Sequence, residues 1–215
     1  MLAYDVTDAV FATKGLVFRN ISYPDIEILR NKATFITGGS GTGKTTLLRL
    51  FNQTATQTSG TIMFCGSDIG SLRATELRRK AVLCGQKVFL FDGTIRDNFD
   101  EFRRYRRLPA LSDEDITRFL KICRLDHGPE RDCGSMSGGE KARVFLAIHL
   151  SLGPVVLMLD EPTSALDNET AVAVMRNIKL YCTDNDITLI VISHDRTVVD
   201  SIADDVIELG GGKHG

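Results

Sequence analysis

The chain has 215 residues, 43% of them hydrophobic, which is enough for a sizeable core in one domain or in a domain with a small subdomain, and general disorder is excluded. Lysine plus arginine number 26 against 28 aspartate plus glutamate, so the net charge of −2 gives no overall pull toward nucleic acid or anionic lipid; any such partner has to be met through a local surface. The five cysteines, Cys65, Cys84, Cys123, Cys133 and Cys182, are odd in number and widely scattered with no C-x-x-C pair, the usage of a reducing cytosol rather than of a disulfide frame or zinc site. Apolar runs such as Val155 to Leu159 and Leu189 to Ile192 fall far short of the roughly 20 residues needed to cross a bilayer, and the opening "MLAYDVTDAVF" is not a signal peptide. A soluble protein with at most a peripheral membrane role is expected.

Short β-branched runs alternate with helical patterns, which predicts an α/β layered fold with a mostly parallel sheet. An early strand is expected near Leu16–Ile21. The next, Thr34–Thr37, runs into "TFITGGSGTGKTTLLRL" and a helix over Gly43–Asn52. Gly38, Gly39, Ser40, Gly41, Thr42, Gly43, Lys44, Thr45 and Thr46 therefore form a strand–loop–helix phosphate cradle. Glycines let successive N–H groups turn inward, the helix N-terminus adds its dipole, Lys44 reaches the β and γ phosphates, and the Thr45 hydroxyl suits Mg²⁺. A nucleoside triphosphate is the ligand this pattern implies.

Further strands are expected near Thr61–Cys65 and at Ala81–Cys84. The stretch from about Thr94 to Leu150 has helical periodicity and no convincing strand, with helices over Asp113–Cys123 and Gly138–Leu150, so a helical subdomain at about 94–150 is expected to interrupt a core made of about 1–93 and 151–215. Within it, "SMSGGEKAR" places Ser137 as N-cap with Glu140 three residues on, a capping box, while Gly138 and Gly139 leave the backbone open to a phosphate. Glu140 is then expected to turn back to the cap or outward. The run Arg103-Arg104-Tyr105-Arg106-Arg107 is read as a solvated or membrane-near face in preference to a nucleic-acid patch.

The strand Val155–Leu159 in "VVLMLDEPTSALD" ends in Asp160 and Glu161, with Pro162 stopping further pairing. Asp160 would hold Mg²⁺ through a water, and Glu161 is placed to orient or deprotonate an attacking water. A helix follows over Glu169–Tyr181. The strand Ile187–Ile192 then delivers His194 to the same sheet edge, as a γ-phosphate sensor or proton partner, and a helix over Arg196–Ile202 closes the series. His127, His149 and His214 have no such context.

With "GGSGTGKT", "SMSGGEKAR", "VVLMLDEPTSALD" and "ISHD" in this order, the chain resembles an ATP-binding cassette (ABC) ATPase over roughly Asp5 to Gly210. The resemblance implies a P-loop NTPase with a RecA-like core sheet, an antiparallel β part and an inserted helical subdomain. Residue by residue, Gly38–Thr45 matches Walker A, Asp160 and Glu161 match Walker B and the catalytic glutamate, Ser164-Ala165-Leu166-Asp167 the D-loop, and His194 the switch histidine. Gln86 matches the Q-loop glutamine, which touches Mg²⁺ or the attacking water, and Phe11 the aromatic that stacks on adenine, with Tyr4 or Tyr23 competing for that place. Met136 and Glu140 depart from the usual leucine and glutamine, and no regulatory extension is expected past Gly215.

The resemblance further implies ATP and Mg²⁺ as cofactors and a second cassette whose Ser137–Glu140 faces this chain's ATP. It also implies a transmembrane permease docking near "VFLFDGTIRDNF", and a place on the cytoplasmic face of the membrane. No nucleic acid is expected. Small stand-alone bacterial cassettes of the iron-efflux type look most similar; a cassette acting on nucleic acid or ribosomes, and a non-hydrolysing regulatory cassette, are the rivals.

Overall fold

A computed structural model describes residues 8–210. The chain opens with β1 (Ala9–Phe18), β2 (Ile21–Ser22), β3 (Glu27–Leu29) and β4 (Ala33–Gly38), then α1 (Lys44–Phe51), β5 (Ser59–Phe64), β6 (Ser67–Asp68), α2 (Ala74–Lys80) and β7 (Ala81–Cys84). Three helices follow, α3 (Ile95–Tyr105), α4 (Asp113–Ile122) and α5 (Gly138–Ser151), with no named strand from 85 to 155. The chain then alternates β8 (Val156–Asp160), α6 (Asn168–Asp184), β9 (Thr188–Ile192), α7 (Arg196–Ile202) and β10 (Asp205–Leu209).

Two sheets result. β1, β2, β3, β5 and β6 form an antiparallel sheet in which β1 pairs with β2, β3 and β5. β4, β7, β8, β9 and β10 form an all-parallel sheet in the order β10-β4-β9-β8-β7. β8 and β9 are buried along their whole length, as strands covered on both faces should be, which is why they read as unbroken apolar runs.

The period-2 alternation of side chains splits each of these strands between two cores. Val156, Met158, Ile190 and Ile192 point into a core shared with α1 and the antiparallel sheet. Leu157, Leu159, Leu189 and Val191 point into a second core shared with α4, α5 and α6. Parallel strands all end on one edge, so this order brings the ends of β4, β9, β8 and β7 side by side, where ligands of open α/β sheets bind.

Two details differ from expectation. The early strand near Leu16–Ile21 is broken in two: Leu16–Phe18 end β1 and Ile21 starts β2, with Arg19, left-handed at φ 54°, in the hairpin turn between them. The arginine run is not a free basic face. Arg103 is buried on the backbone, donating to Pro109 O at 2.7 Å and to Ser151 O, and Arg106 donates to Arg78 O at 2.8 Å. Arg104 pairs with Glu101. No helix among the described residues is long and apolar enough to cross a membrane.

Candidate functional site

The loop after β4 owes its shape to two close approaches. A Cβ on Gly38, at φ 137°, would sit 2.4 Å from Leu209 O, and one on Gly43, at φ 90°, would sit 2.5 Å from the Tyr23 hydroxyl oxygen. Gly43 is also the N-cap of α1, and it supplies no side-chain hydrogen bond; the first turn of α1 carries no acidic residue either. α3, α4, α5, α6 and α7 are each capped by Thr94, Ser112, Ser137, Asp167 and Asp195. The free N–H groups of α1 are thus left for an anion, as a phosphate cradle requires. Ser40 and Gly41 are exposed at the loop's tip, Thr46 faces partly inward from α1, and Thr42 Oγ1 donates to Gly39 O at 3.0 Å.

Lys44 is buried, and its Nζ donates to Gly38 O at 2.9 Å and Gly39 O at 2.8 Å, so the ammonium is held inside the loop it serves. The Thr45 hydroxyl donates to Asp160 Oδ1 at 3.2 Å. Asp160 is 3% exposed, and burial pushes its carboxyl above the ordinary range against the opposing pull of Thr45. A hydroxyl and a buried carboxylate at this separation are hard oxygen donors suited to Mg²⁺, which takes few protein ligands and completes its shell with phosphate and water.

Glu161 follows Asp160 with φ 51°, a left-handed backbone that a non-glycine residue adopts at a cost of about 1–3 kcal/mol. Its N–H bonds to Ile192 O at 3.0 Å, which ties the strained residue to the end of β9. The carboxylate lies between two partners from neighbouring strand ends: Gln86 Nε2 at 3.4 Å, just after β7, and His194 Nε2 at 3.2 Å, just after β9. Gln86 is therefore turned onto Glu161. Cavities of about 470 Å³, lined by Gly38, Gly39 and His194 among others, and about 260 Å³, lined by Glu161, Ser164 and His194 among others, open beside this group. A larger groove of about 940 Å³ between α4 and α6 lies away from it.

A second cluster forms at the start of α5 and reaches the first through the Ser164–Asp167 loop. Ser137 caps α5, accepting from the Glu140 N–H at 3.3 Å while Glu140 Oε2 accepts from the Ser137 N–H at 2.8 Å. The two glycines differ. A Cβ on Gly138 would meet nothing within 4 Å, so that position is open space, whereas one on Gly139 would lie 3.2 Å from Ala165 O and 3.3 Å from a Leu166 methyl. Gly139 is thus the residue against which the loop Ser164–Asp167 packs, with Ser164 and Ala165 exposed beside it. Asp167 caps α6 by accepting from the Thr170 N–H at 2.9 Å. Met136 fills the core, which explains why an apolar residue precedes Ser137.

Phe11 is not an adenine platform. It is fully buried in β1, stacked on Phe51 of α1 with ring centroids 4.4 Å apart and tilted against Phe64 at 4.9 Å. Tyr23 stands nearest the phosphate loop, its hydroxyl donating to Gly43 O at 3.0 Å, but it is buried enough that its pKa is pushed up to about 12. The half-buried aromatic on that side is Phe18, at the end of β1 and paired with Ile21, which reaches to 3.2 Å from where a Cβ on Gly43 would stand. Tyr4 lies outside the described residues. His127 also gains a role: it meets Glu140 Oε1 at 2.7 Å.

The description "ABC transporter" matches residues 22–164 as a family. The chain belongs to that family. The cassette is 33% identical over 207 residues to the probable iron export ATP-binding protein FetA of Escherichia coli, covering 90% of each chain. It is 32% identical over 226 residues to the methionine import ATP-binding protein MetN of Bifidobacterium longum, covering 99% of this chain and 55% of MetN, and 32% identical to the ABC-type transporter kk1G of Curvularia clavata, of which it spans 16%. Among solved structures, cbiO1 of Clostridium perfringens, part of the transporter complex cbiONQ, superposes with a TM-score of 0.84 at 28% identity over 95% of this chain and 86% of cbiO1. The P-loop fold with one parallel and one antiparallel sheet is that of ABC cassettes.

Proposed function

We propose that this cassette is the ATP-hydrolysing subunit of a membrane transporter and that it works as a head-to-tail pair. One observation carries this reading: the phosphate loop, the Thr45–Asp160 pair and Glu161 gather on one sheet edge, while the open Gly138 starts α5 against the Ser164–Asp167 loop, which runs from the Glu161 cavity to Gly139. Gly138 is exposed with open space before it, so the start of α5 is open to an anion carried by a second molecule. In the pair, Lys44 and the α1 N-terminus bind the β and γ phosphates of ATP, and Ser137–Gly139 of the second chain closes over the γ phosphate.

Thr45 and Asp160 would hold Mg²⁺, which when bound neutralises charge on the β and γ oxygens. Glu161, fixed in direction by Gln86 and His194, orients the attacking water and accepts its proton. His194 then faces the charge that develops on the γ phosphoryl group. Each contribution is positioning and electrostatics, as phosphoryl transfer demands. Adenine packs on Phe18 at the mouth of the β1–β2 turn.

The membrane subunit is expected to dock just beyond Gln86. There Val88 is 36% and Phe89 54% exposed, and Phe91 stacks near Tyr105, itself 67% exposed. A contiguous aromatic patch of this kind fits an apolar helix end of the partner. Because Gln86 begins that segment and touches Glu161, closing the site and moving the partner are joined by a few residues. Such docking puts the cassette on the cytoplasmic face of the membrane.

ATPase rate and oligomeric state of the wild type and Glu161→Gln test the proposal. The variant is expected to lose turnover and to persist as an ATP-bound dimer. Equal rates would refute the role of Glu161, and a monomer in saturating ATP would refute the pair.

A further inference from the structure

Glu140 stands where an acidic side chain works against the site, at the third position of α5 beside the residues that serve the partner's nucleotide. Its carboxylate is engaged on both oxygens. Oε2 accepts from the Ser137 N–H at 2.8 Å, and Oε1 meets His127 Nε2 at 2.7 Å. The His127 contact is the leading cause that holds the Glu140 carboxyl down to about 2.

His127 comes from the segment between α4 and α5, and that segment is fastened independently of it. Arg143 donates from α5 to Arg124 O at 2.7 Å, and the Arg96 N–H reaches Pro129 O at 2.9 Å. A capping box needs no such histidine. The box at the start of α3 closes with the Asp97 carboxylate accepting from Thr94 alone.

We propose that His127 is a positioning residue for the nucleotide-closing face: it holds Glu140 turned back on the cap and leaves the α5 N–H groups to the partner's γ phosphate. This rests on the two-chain site proposed above. Two anions compete for the same helix N-terminus, and a carboxylate released from that hold one turn from an incoming phosphate is a like charge inside a closing, water-poor interface. With a neutral glutamine at position 140 the conflict disappears, so the histidine matters only because the glutamate is there.

The test is the ATP concentration giving half-maximal dimer, read by analytical ultracentrifugation in the Glu161→Gln background. His127→Ala is expected to raise it about tenfold, the equivalent of about 1.4 kcal/mol of like-charge repulsion. His127→Gln, which keeps an N–H for the carboxylate, is expected to restore most of the loss. With Glu140→Gln also present, adding His127→Ala is expected to shift the midpoint less than twofold. An unshifted midpoint for His127→Ala, or the same shift in both backgrounds, as a merely structural histidine would give, overturns the proposal alone. Failure of the Glu161→Gln protein to dimerise in ATP overturns the two-chain reading and the proposal with it.

Discussion

Truncating two phenylalanines of the same strand should separate packing from nucleotide binding. Phe11 is fully buried and stacked on Phe51, so Phe11→Ala removes a ring from the core between the sheets and leaves a cavity. Such changes cost about 3–5 kcal/mol. At about 2–4 °C per kcal/mol for a chain of this size, the melting temperature should fall by roughly 6–20 °C. Phe18 is half-buried at the strand's end, so Phe18→Ala should cost less than about 1.5 kcal/mol of stability. Losing a base–aromatic stack costs about 1–3 kcal/mol, so ATP affinity should drop by roughly 5- to 150-fold. Thermal melts and titration of a fluorescent ATP analogue into each variant below its melting temperature measure both quantities. The reasoning fails if Phe18→Ala binds nucleotide like the wild type, or if folded Phe11→Ala loses as much affinity as Phe18→Ala.

Three further outcomes follow from the electrostatics. Burial raises the Asp160 carboxyl, so the unfolded chain holds fewer protons than the fold above the ordinary carboxylate range, and the fold loses stability as pH rises through that window. Asp160→Asn should therefore melt higher than the wild type at neutral pH while abolishing Mg²⁺-dependent hydrolysis; a lower melting temperature would count against it. His149, buried against Phe102 and Phe145 with its Nδ1 at 2.7 Å from Phe145 O, is held down to about 4. The unfolded chain takes up its proton first, so stability falls as pH drops from about 6.5 to about 4, by on the order of 3 kcal/mol, and denaturant midpoints of His149→Leu should lose that slope. Arg103→Ala, which frees two backbone carbonyls, should lower the denaturation midpoint by an amount worth about 1.5–3 kcal/mol without changing retention on DNA.

The parallel sheet was legible in the sequence because strands buried on both faces must be apolar throughout, as β8 and β9 are, and because Gly-Lys-Thr and Asp-Glu mark where two of them end. β10 was not, since Asp205, Val206 and Glu208 are exposed on an edge strand and its pattern carries no core signal. Phe11 misled for a related reason: distance along the chain to the phosphate loop says nothing about which way a ring faces, and Phe11 turns inward onto Phe51. The basic run misled because a guanidinium satisfied by carbonyls reads the same in sequence as a solvated one. His127 was invisible because its partner is set by the fold of the segment before α5, not by spacing.

Gly138 and Gly139 read alike in sequence and do different work, and the difference yields the sharpest test of the pair. A Cβ on Gly138 meets open space, so Gly138→Ala should fold and gain up to about 1 kcal/mol from a less flexible unfolded chain. Its methyl would stand where the partner's phosphate must approach, so hydrolysis should fall. Gly139→Ala should instead push the Ala165 carbonyl, 3.2 Å away, and lower stability as well as hydrolysis. If each site draws its loop from one chain and its closing face from the other, Gly138→Ala and Lys44→Ala injure opposite halves of a site. Each protein alone should be inactive. Mixed in equal amounts, half the dimers are heterodimers with one intact site of two, so activity should recover to about a quarter of the wild type under two-fold symmetric pairing. A site completed within one chain predicts no recovery, because neither variant would then hold what the other lacks.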